Sequence, residues 1–328
     1  MHNRTLGKSG FQVSEVGLGC WQLGADWGQD ISHNQAFSIL EEAVGQGVNF
    51  FDTADVYGLG KSERFIGAFL KETKSPVRVA TKFGRHSSVF PDQYTEEALR
   101  KSVEGSIERL GVDALDLLQL HCIPTQELKN GEIFHWLRKL KEEGLIREFG
   151  ASVETVEEGL LCLQEEGLCS LQVIFNVFRQ KLTEELLPQA KKSNVGIIVR
   201  LPLASGLLAG KFTQDTRFAI NDHRNFNQNG EVFNVGETFA GLPFEEGIRL
   251  VENIRQAFLP EGMNMVQFTL RWILDHEAVS TIIPGASSKG QVISNASVSD
   301  LPPLTTEIHK QLAAFYWDKV HDQVRGVY

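Results

Sequence analysis

The sequence predicts a (β/α)8 TIM barrel, an α/β fold, on three observations. Short runs rich in Val, Ile and Leu alternate along the chain with amphipathic stretches. These runs are continuously apolar, which is typical of parallel strands covered by helices. No Pro/Gly-rich linker divides the 328 residues, and this length is usual for one such barrel. We therefore expect residues 1–328 to form a single barrel domain.

The positions of the apolar runs and of the helical periodicities set the expected elements. The predicted strands are Val13–Leu18, Val48–Asp52, Val77–Thr81, Leu115–Leu120, Glu148–Ala151, Leu171–Phe175, Gly196–Leu201 and Val279–Ile283. The predicted helices are Asn34–Gly45, Glu63–Lys71, Glu96–Leu110, Ile133–Glu143, Thr155–Gln164, Thr183–Ser193 and Met265–His276. Ser62 and Thr95 are candidate N-caps, since a hydroxyl there accepts from a free amide of the first turn.

Two regions depart from the strand–helix alternation. Asn3–Gly10, with glycines at turn positions, predicts an N-terminal β-hairpin that plugs the floor of the barrel. The segment 212–243 is long, polar and rich in Asn and Gly. Because it follows the seventh strand, we expect it to lie over the mouth of the active site. An extra helix is expected at the C-terminus.

Composition and charge exclude several classes of function. The net charge is −10 and the basic residues do not cluster, which argues against nucleic acid as a partner. No apolar run approaches the roughly 18 residues needed to cross a bilayer, and the first residues lack a signal-peptide core. The four cysteines lack metal-ligand spacing, so we expect reduced thiols, no metal site and a cytoplasmic protein.

Polar residues that end three neighbouring strands predict the catalytic site. Asp52, Lys82 and His121 close the second, third and fourth apolar runs, and Tyr57 follows shortly after the second. In a barrel, the C-terminal ends of the strands meet on one rim. We therefore expect these four side chains to converge.

This group of residues has a chemical use in proton transfer. A tyrosine titrates near pH 10, too high for ready donation at neutral pH, and a neighbouring lysine cation lowers that pKa. Asp52 would keep Lys82 charged and oriented, while His121 would hydrogen-bond the substrate oxygen or help relay the proton. Tyr57 would then act as the general acid in the reduction of a carbonyl.

The segments that carry these residues resemble the signature blocks of the aldo-keto reductase superfamily. They read FFDTADVYG, ATKFG and LLQLH, and SGLLAGKF and IIPGASSKGQ follow in the same order. The resemblance extends from about Arg4 to about Ser297. It implies an NADP-dependent oxidoreductase with Tyr57 as the proton donor, and Asp52, Lys82 and His121 beside it. It also implies NADPH bound without a Rossmann domain, with NADH as the alternative.

The resemblance also assigns cofactor contacts to three places. Ser152 and Gln172 match positions that hold the nicotinamide amide, the segment after the seventh strand matches a loop around the pyrophosphate, and the segment after the eighth strand matches the adenosine 2′-phosphate site. The expected contacts are Ser152, Gln172, Arg200, Pro202, Leu203, Ser205, Gly206, Leu208, Lys211, Gly285, Ser287, Lys289, Gln291 and Asn295.

Several of these positions depart from the family pattern. Val153 replaces a common Asn beside the nicotinamide amide, and Arg200 replaces an aromatic residue that stacks on the ring. Gln291 replaces an arginine common in NADPH-specific members, and Ser294 replaces a glutamate that contacts adenine. Lys289 could supply the positive charge for a 2′-phosphate, so the choice between NADPH and NADH stays open.

The substrate is expected to be a small carbonyl or sugar-like compound. Trp21, Trp27 and Phe83 are the candidate contacts, since aromatic faces pack against C–H surfaces. Two other functions are considered. A cofactor-binding regulatory module similar to the potassium-channel β subunits would keep the same tetrad. A barrel with isomerase or metal-hydrolase chemistry would need paired acids or ligand clusters, which the strand ends lack. The oligomeric state is left open.

Overall fold

A barrel of parallel strands is the core of the computed structural model, which describes residues 1–24 and 27–328. Within those residues, eight strands pair in chain order from β3 to β10. They are β3 (Leu18–Gly19), β4 (Phe50–Asp52), β5 (Arg78–Phe83), β6 (Leu115–His121), β7 (Ile146–Ser152), β8 (Leu168–Ile174), β9 (Gly196–Arg200) and β10 (Val279–Ile282). The predicted (β/α)8 barrel is confirmed.

Main-chain hydrogen bonds between the segment 15–19 and β10 close the barrel. The Gly17 amide donates to the Ile282 carbonyl at 2.8 Å, and the Ile282 amide donates to the Glu15 carbonyl at 3.0 Å. The Gly19 amide then donates to the Pro284 carbonyl at 3.1 Å. The barrel therefore closes through a short first strand and its preceding loop.

The prediction for the first strand was wrong in its bounds. Val13 belongs to an antiparallel hairpin of β1 (Asn3–Thr5) and β2 (Gln12–Ser14), and only Leu18 and Gly19 form β3. Val13 and Leu18 are both buried. The sequence therefore shows one apolar run, although its first part belongs to the hairpin and its last part to the barrel.

The hairpin closes the N-terminal end of the barrel, as predicted, but it extends from Asn3 to Ser14 instead of ending at Gly10. Its side chains Leu6 and Val13 belong to one buried cluster with Phe50 and Ile198 from the barrel strands. Gly7 has a φ of +49°, and a Cβ there would lie 2.4 Å from the carbonyl oxygen of Cys169. This close approach of the hairpin to the strands requires a glycine.

Helices surround the barrel. They are α1 (Trp21–Gly24), α2 (His33–Gly45), α3 (Lys61–Thr73), α4 (Glu96–Leu110), α5 (Thr125–Asn130), α6 (Glu132–Glu142), α7 (Val156–Cys162), α8 (Leu186–Lys192), α9 (His223–Phe226), α10 (Phe244–Phe258), α11 (Met265–Leu274), α12 (Lys289–Ala296) and α13 (Thr306–Phe315). The expected C-terminal helix is α13. Among the described residues, none of the helices has the length and apolarity to span a membrane.

The helix caps agree with the sequence in one of two cases. Thr95 caps α4, and its hydroxyl accepts from the Ala98 amide at 3.1 Å. Ser62 does not cap α3, because that helix begins at Lys61 after Gly60. The Ser62 hydroxyl instead donates to the Cys20 carbonyl and ties the helix to the start of α1.

Candidate active site

Three neighbouring strands bring the predicted catalytic residues together. Asp52 ends β4, Lys82 is the penultimate residue of β5, and His121 ends β6. The parallel register pairs Asp52 with Ala80 and Lys82 with Gln119, so each strand reaches slightly further than the one before it. The side chains of Asp52 and Lys82 thereby meet at the C-terminal end of the barrel.

Lys82 is the centre of this group. Its ammonium donates to Asp52 Oδ1 at 2.6 Å, to the Thr53 carbonyl at 2.7 Å and to the Tyr57 hydroxyl at 3.3 Å. Lys82 and Asp52 are almost completely buried. Burial alone would lower the pKa of Lys82, but Asp52 and Tyr57 outweigh it and raise that pKa above its usual range, so Lys82 stays charged.

Two amide side chains hold the other oxygen of Asp52. Gln172 on β8 donates to Asp52 Oδ2 at 2.8 Å, and Gln119 on β6 donates to the same oxygen at 3.1 Å. The carboxylate therefore accepts hydrogen bonds on both oxygens and is fixed in orientation. The amide nitrogen of Gln172, an expected cofactor contact, is already used by Asp52.

Tyr57 is partly buried above Lys82. Burial raises the pKa of the Tyr57 hydroxyl to about 12, although the Lys82 cation acts in the opposite direction. The expected net lowering of this pKa is therefore wrong, because loss of hydration outweighs the lysine. Tyr57 remains protonated at neutral pH and holds a proton that it can donate.

His121 is neutral under the same conditions. Burial lowers the pKa of its imidazole well below the usual range, and Lys82, Arg85 and Arg200 lower it further. Its ring packs edge-on against Tyr57, with the centroids 5.9 Å apart. Among the described residues, His121 Nδ1 is buried without a hydrogen-bond partner.

One cavity of about 680 Å³ connects the tetrad to the loops after β9 and β10. Most of the predicted site residues line it. They are Trp21, Trp27, Asp52, Tyr57, His121, Gln172, Arg200, Pro202, Leu203, Ser205, Gly206, Lys211, Gly285, Ser287, Gln291 and Asn295.

Four predicted contacts do not line this cavity. Phe83 follows Lys82 on β5, so the alternation of the strand turns it outward, where it packs against Tyr94. Leu208 is fully buried in the core. The Ser152 hydroxyl lies 3.4 Å from the Cys122 sulfur.

Lys289 is the fourth of these residues. It is half-exposed on α12, and its ammonium lies 3.9 Å from Glu41 and 3.8 Å from Glu42. A positive charge from Lys289 is thus directed towards α2 rather than into the cavity.

The loop after β9 presents its backbone to the cavity. Ser205 and Gly206 both have positive φ values, of 57° and 91°. The Ser205 hydroxyl donates to the Glu237 carbonyl at 2.9 Å, which joins this loop to the segment 212–243. Phe212, Arg224 and Glu237 from that segment also line the cavity.

The far end of the cavity lies at the start of α12. Gln291 Oε1 accepts from the Ser287 amide at 2.7 Å and from the Ser287 hydroxyl at 3.1 Å. An anion at this place would need those same donors. The Gln291 side chain thus occupies part of the surface that the sequence assigned to a phosphate.

Aromatic rings form one wall beside Tyr57. The Trp21 ring stacks near Tyr57 at 5.9 Å, and Trp27 meets Trp21 edge-on at 5.3 Å. His223 lies 4.7 Å from Trp21, and Phe233 lies 6.1 Å from it.

Some lining residues were not found from the sequence. Gln22 in α1, Gln29 in the loop after it and Glu237 in a 3-10 turn also line the cavity, and no strand end or family motif marked them. Glu237 is placed by contacts with residues more than thirty positions away in the chain, so no local pattern could reveal it.

A family model described as the Aldo/keto reductase family matches residues 15–316, and the chain belongs to this family. It is similar to an uncharacterized oxidoreductase, YqkF, of Bacillus subtilis, with 30% identity over 95% of each chain. Among solved structures, it resembles the holo form of aldo-keto reductase AKR11C1 from Bacillus halodurans, with 27% identity and a TM-score of 0.77 over 100% and 98% of the two chains. The glycerol dehydrogenase AKR11B4 from Gluconobacter oxydans has 28% identity and a TM-score of 0.77 over 97% and 96%.

The chain is also similar to a protein named as an ion-channel subunit. A probable voltage-gated potassium channel subunit beta from Oryza sativa is 26% identical over 93% of each chain. The proteins similar to this chain are therefore named both as oxidoreductases and as a channel subunit.

Proposed function

We propose that this protein is an NADP-dependent oxidoreductase that reduces a small aldehyde or ketone, or runs the reverse oxidation of an alcohol or sugar. The observation that carries the proposal is the position of Lys82, 2.6 Å from Asp52 and 3.3 Å from the Tyr57 hydroxyl, beneath a deep cavity. A buried lysine held in this way stabilises the phenolate that forms when the tyrosine gives up its proton.

The residues of the chain have separate roles in this proposal. The Tyr57 hydroxyl donates its proton to the carbonyl oxygen of the substrate, and Lys82 stabilises the phenolate left behind. Asp52 keeps Lys82 charged and in place. Neutral His121 offers a ring nitrogen for a hydrogen bond to the substrate oxygen.

The cavity fits a nicotinamide dinucleotide, which supplies the hydride when bound. Two buried nitrogens of cavity residues, His121 Nδ1 and Arg200 Nε, lack hydrogen-bond partners among the described residues, which indicates a polar ligand there. The residues that would hold it are Gln172, Arg200, Pro202, Leu203, Ser205, Gly206, Lys211, Gly285, Ser287, Gln291 and Asn295. We propose NADPH, and the orientation of Lys289 favours NADH as the alternative.

The test compares wild type with Tyr57→Phe. We expect the variant to bind NADPH with unchanged affinity, measured by quenching of tryptophan fluorescence. We expect its carbonyl reduction to fall by about 10²- to 10⁴-fold, because the proton donor is gone. Tyr94→Phe is the matched control, since Tyr94 donates to the Gly84 carbonyl and lies outside the cavity. Reduction by Tyr57→Phe at the wild-type rate would refute the mechanism.

A second candidate is a cofactor-binding regulatory subunit, which the likeness to the channel subunit favours. The same assay separates the two functions. Slow turnover of every carbonyl, together with dinucleotide that stays bound through gel filtration, would support the regulatory function. Rapid exchange and turnover would support the reductase.

A further inference from the structure

Glu237 is an acidic residue of the cavity wall that the roles above leave unused. It lies in a short 3-10 turn, Val235–Glu237, within the segment 212–243. Its Oε1 lies 3.4 Å from Arg200 and 3.7 Å from Arg85. These are the nearest approaches of the two guanidinium groups, and the Glu237 carboxylate makes no hydrogen bond to another described residue.

Arg200 also lacks strong hydrogen-bond partners for part of its guanidinium group among the described residues. Its NH2 group donates to the Cys122 sulfur at 3.4 Å, a weak acceptor, and its Nε is buried without a partner within the described chain. Glu237 and Arg200 both line the cavity near Tyr57 and His121. Buried polar groups are normally paired, so the Arg200 guanidinium indicates a ligand with a polar acceptor, and the Glu237 carboxylate lies beside it.

The charges around Glu237 determine which ligand fits. Two cations, Arg85 and Arg200, balance two carboxylates, Glu154 and Glu237, and Arg85 is bound to Glu154 at 2.7 Å. A metal ion at Cys122, Glu154 and Glu237 would face both guanidinium groups, which repel it. An anionic ligand would be repelled by the carboxylate of Glu237.

A neutral hydroxyl group suits this place better than either ion. It donates to a carboxylate oxygen and accepts from a guanidinium nitrogen at once. Trp21 and Trp27, which line the same cavity, provide apolar surface for the C–H groups of a short hydroxylated chain.

We propose that Glu237 is a specificity-determining residue whose carboxylate accepts a hydrogen bond from a substrate hydroxyl adjacent to the reacting carbonyl. The substrate class is therefore neutral hydroxylated aldehydes and ketones, in preference to alkyl or acidic ones. This inference rests on the proposed reductase function, because it places the reacting carbonyl at Tyr57.

The experiment compares three aldehydes: glyceraldehyde, propanal and succinic semialdehyde. Wild type is expected to show a higher kcat/KM for glyceraldehyde than for propanal. Glu237→Ala should reduce that preference by about tenfold or more, because a hydrogen bond to a charged group is lost, with little change for propanal. Glu237→Gln, the milder variant, should raise kcat/KM for succinic semialdehyde, because it removes a negative charge that repels the substrate carboxylate.

Glu245→Gln is the matched control for charge, since Glu245 is exposed on α10 outside the cavity. Equal losses on glyceraldehyde and propanal in both Glu237 variants would overturn the inference and would mean that Glu237 only holds its segment against Arg85 and Arg200. No turnover of any aldehyde by wild type would instead refute the proposed function. The two failures are therefore distinct.

Discussion

The two ends of the cavity are built differently. At the Tyr57 end, strand ends supply a buried ion pair, and Asp52 accepts hydrogen bonds on both carboxylate oxygens. At the far end, near Ser287, the loop after β10 and the first turn of α12 supply neutral donors, and Gln291 already accepts from two of them. The one lysine of that turn, Lys289, points to α2.

The two ends of the cavity therefore place different requirements on a ligand. Buried charges at fixed distances favour proton transfer at one place and tolerate little rearrangement. The neutral turn at Ser287 can bind a hydroxyl group of a ligand. It can bind a phosphate after the Gln291 side-chain amide has moved away. Under the proposed function, the chemistry would be fixed at the Tyr57 end, whereas the choice between NADPH and NADH would be adjustable at the Ser287 end.

The largest expected difference in stability and turnover comes from replacing a lysine by methionine at each end of the cavity, at Lys82 and at Lys289. Lys82→Met leaves Asp52 buried without its cation, so we expect a loss of about 3–5 kcal/mol in the free energy of unfolding. Its turnover should fall by at least about 10²-fold, since the phenolate of Tyr57 loses its stabilising charge. Lys289→Met should change stability by less than about 0.5 kcal/mol, because its ion pairs are long and exposed. Denaturant unfolding and steady-state kinetics on both variants test this, and similar effects at the two sites would contradict the comparison.

The second prediction concerns the far end alone. Gln291→Arg frees the Ser287 amide and adds a cation, so NADPH should bind about ten- to a hundredfold more tightly, with little change for NADH. Gln291→Met is the control, because it frees the amide without adding charge. Parallel fluorescence titrations with both dinucleotides measure the ratio. An unchanged ratio in Gln291→Arg would show that this turn does not face the 2′ position.

The sequence was sufficient for the barrel and for the Tyr57 end of the site. Asp52, Lys82 and His121 close successive apolar runs, and parallel strands necessarily bring such residues to one rim. The alternation along β5 would also have excluded Phe83, because it directly follows the inward-facing Lys82.

Other features depend on contacts between distant parts of the chain. The position of Glu237 follows from ion pairs with Arg85 and Arg200, and the orientation of Lys289 follows from acids on α2. No local periodicity carries such information. The helix α10 is a different case, because its buried residues recur at helical spacing (Phe244, Gly247, Leu250, Val251 and Ile254), and the sequence therefore contained the signal for it.

The third prediction concerns Asp55, a carboxyl group close to Asp52 that has no role in the proposed reaction. Asp55 follows Asp52 by three residues, and its Oδ2 accepts from Ser102 at 3.1 Å, while its Oδ1 is buried without a partner in the described structure. Burial, with a contribution from Glu63, raises the pKa of Asp55 to about 6. The folded protein thus holds this proton more tightly than the unfolded chain, and stability falls as the pH rises from about 4 through 6.

Asp55→Asn removes this penalty at pH 7.5. We expect the free energy of unfolding to rise by roughly 1–3 kcal/mol at that pH, with no gain at pH 4, where Asp55 is protonated in the folded state. Turnover should be unchanged, because Asp55 does not line the cavity. Denaturant unfolding at the two pH values provides the measurement. A variant that is less stable at pH 7.5 would mean that the charged form of Asp55 has a structural partner.

The smallest expected effect concerns the pH dependence of reduction, which we expect to be nearly absent. Tyr57 keeps its proton up to a pKa of about 12, and the pKa of His121 is lowered well below its usual range, so neither group changes charge between pH 6 and 9. The kcat/KM for carbonyl reduction should therefore be nearly flat over that interval, since this parameter reports the groups of the free enzyme. An inflection near pH 6.5 that disappears in His121→Asn would show that His121 is charged in part of this range. The neutral imidazole assigned to the Tyr57 end would then have to be replaced by a cation that shares the site with Lys82.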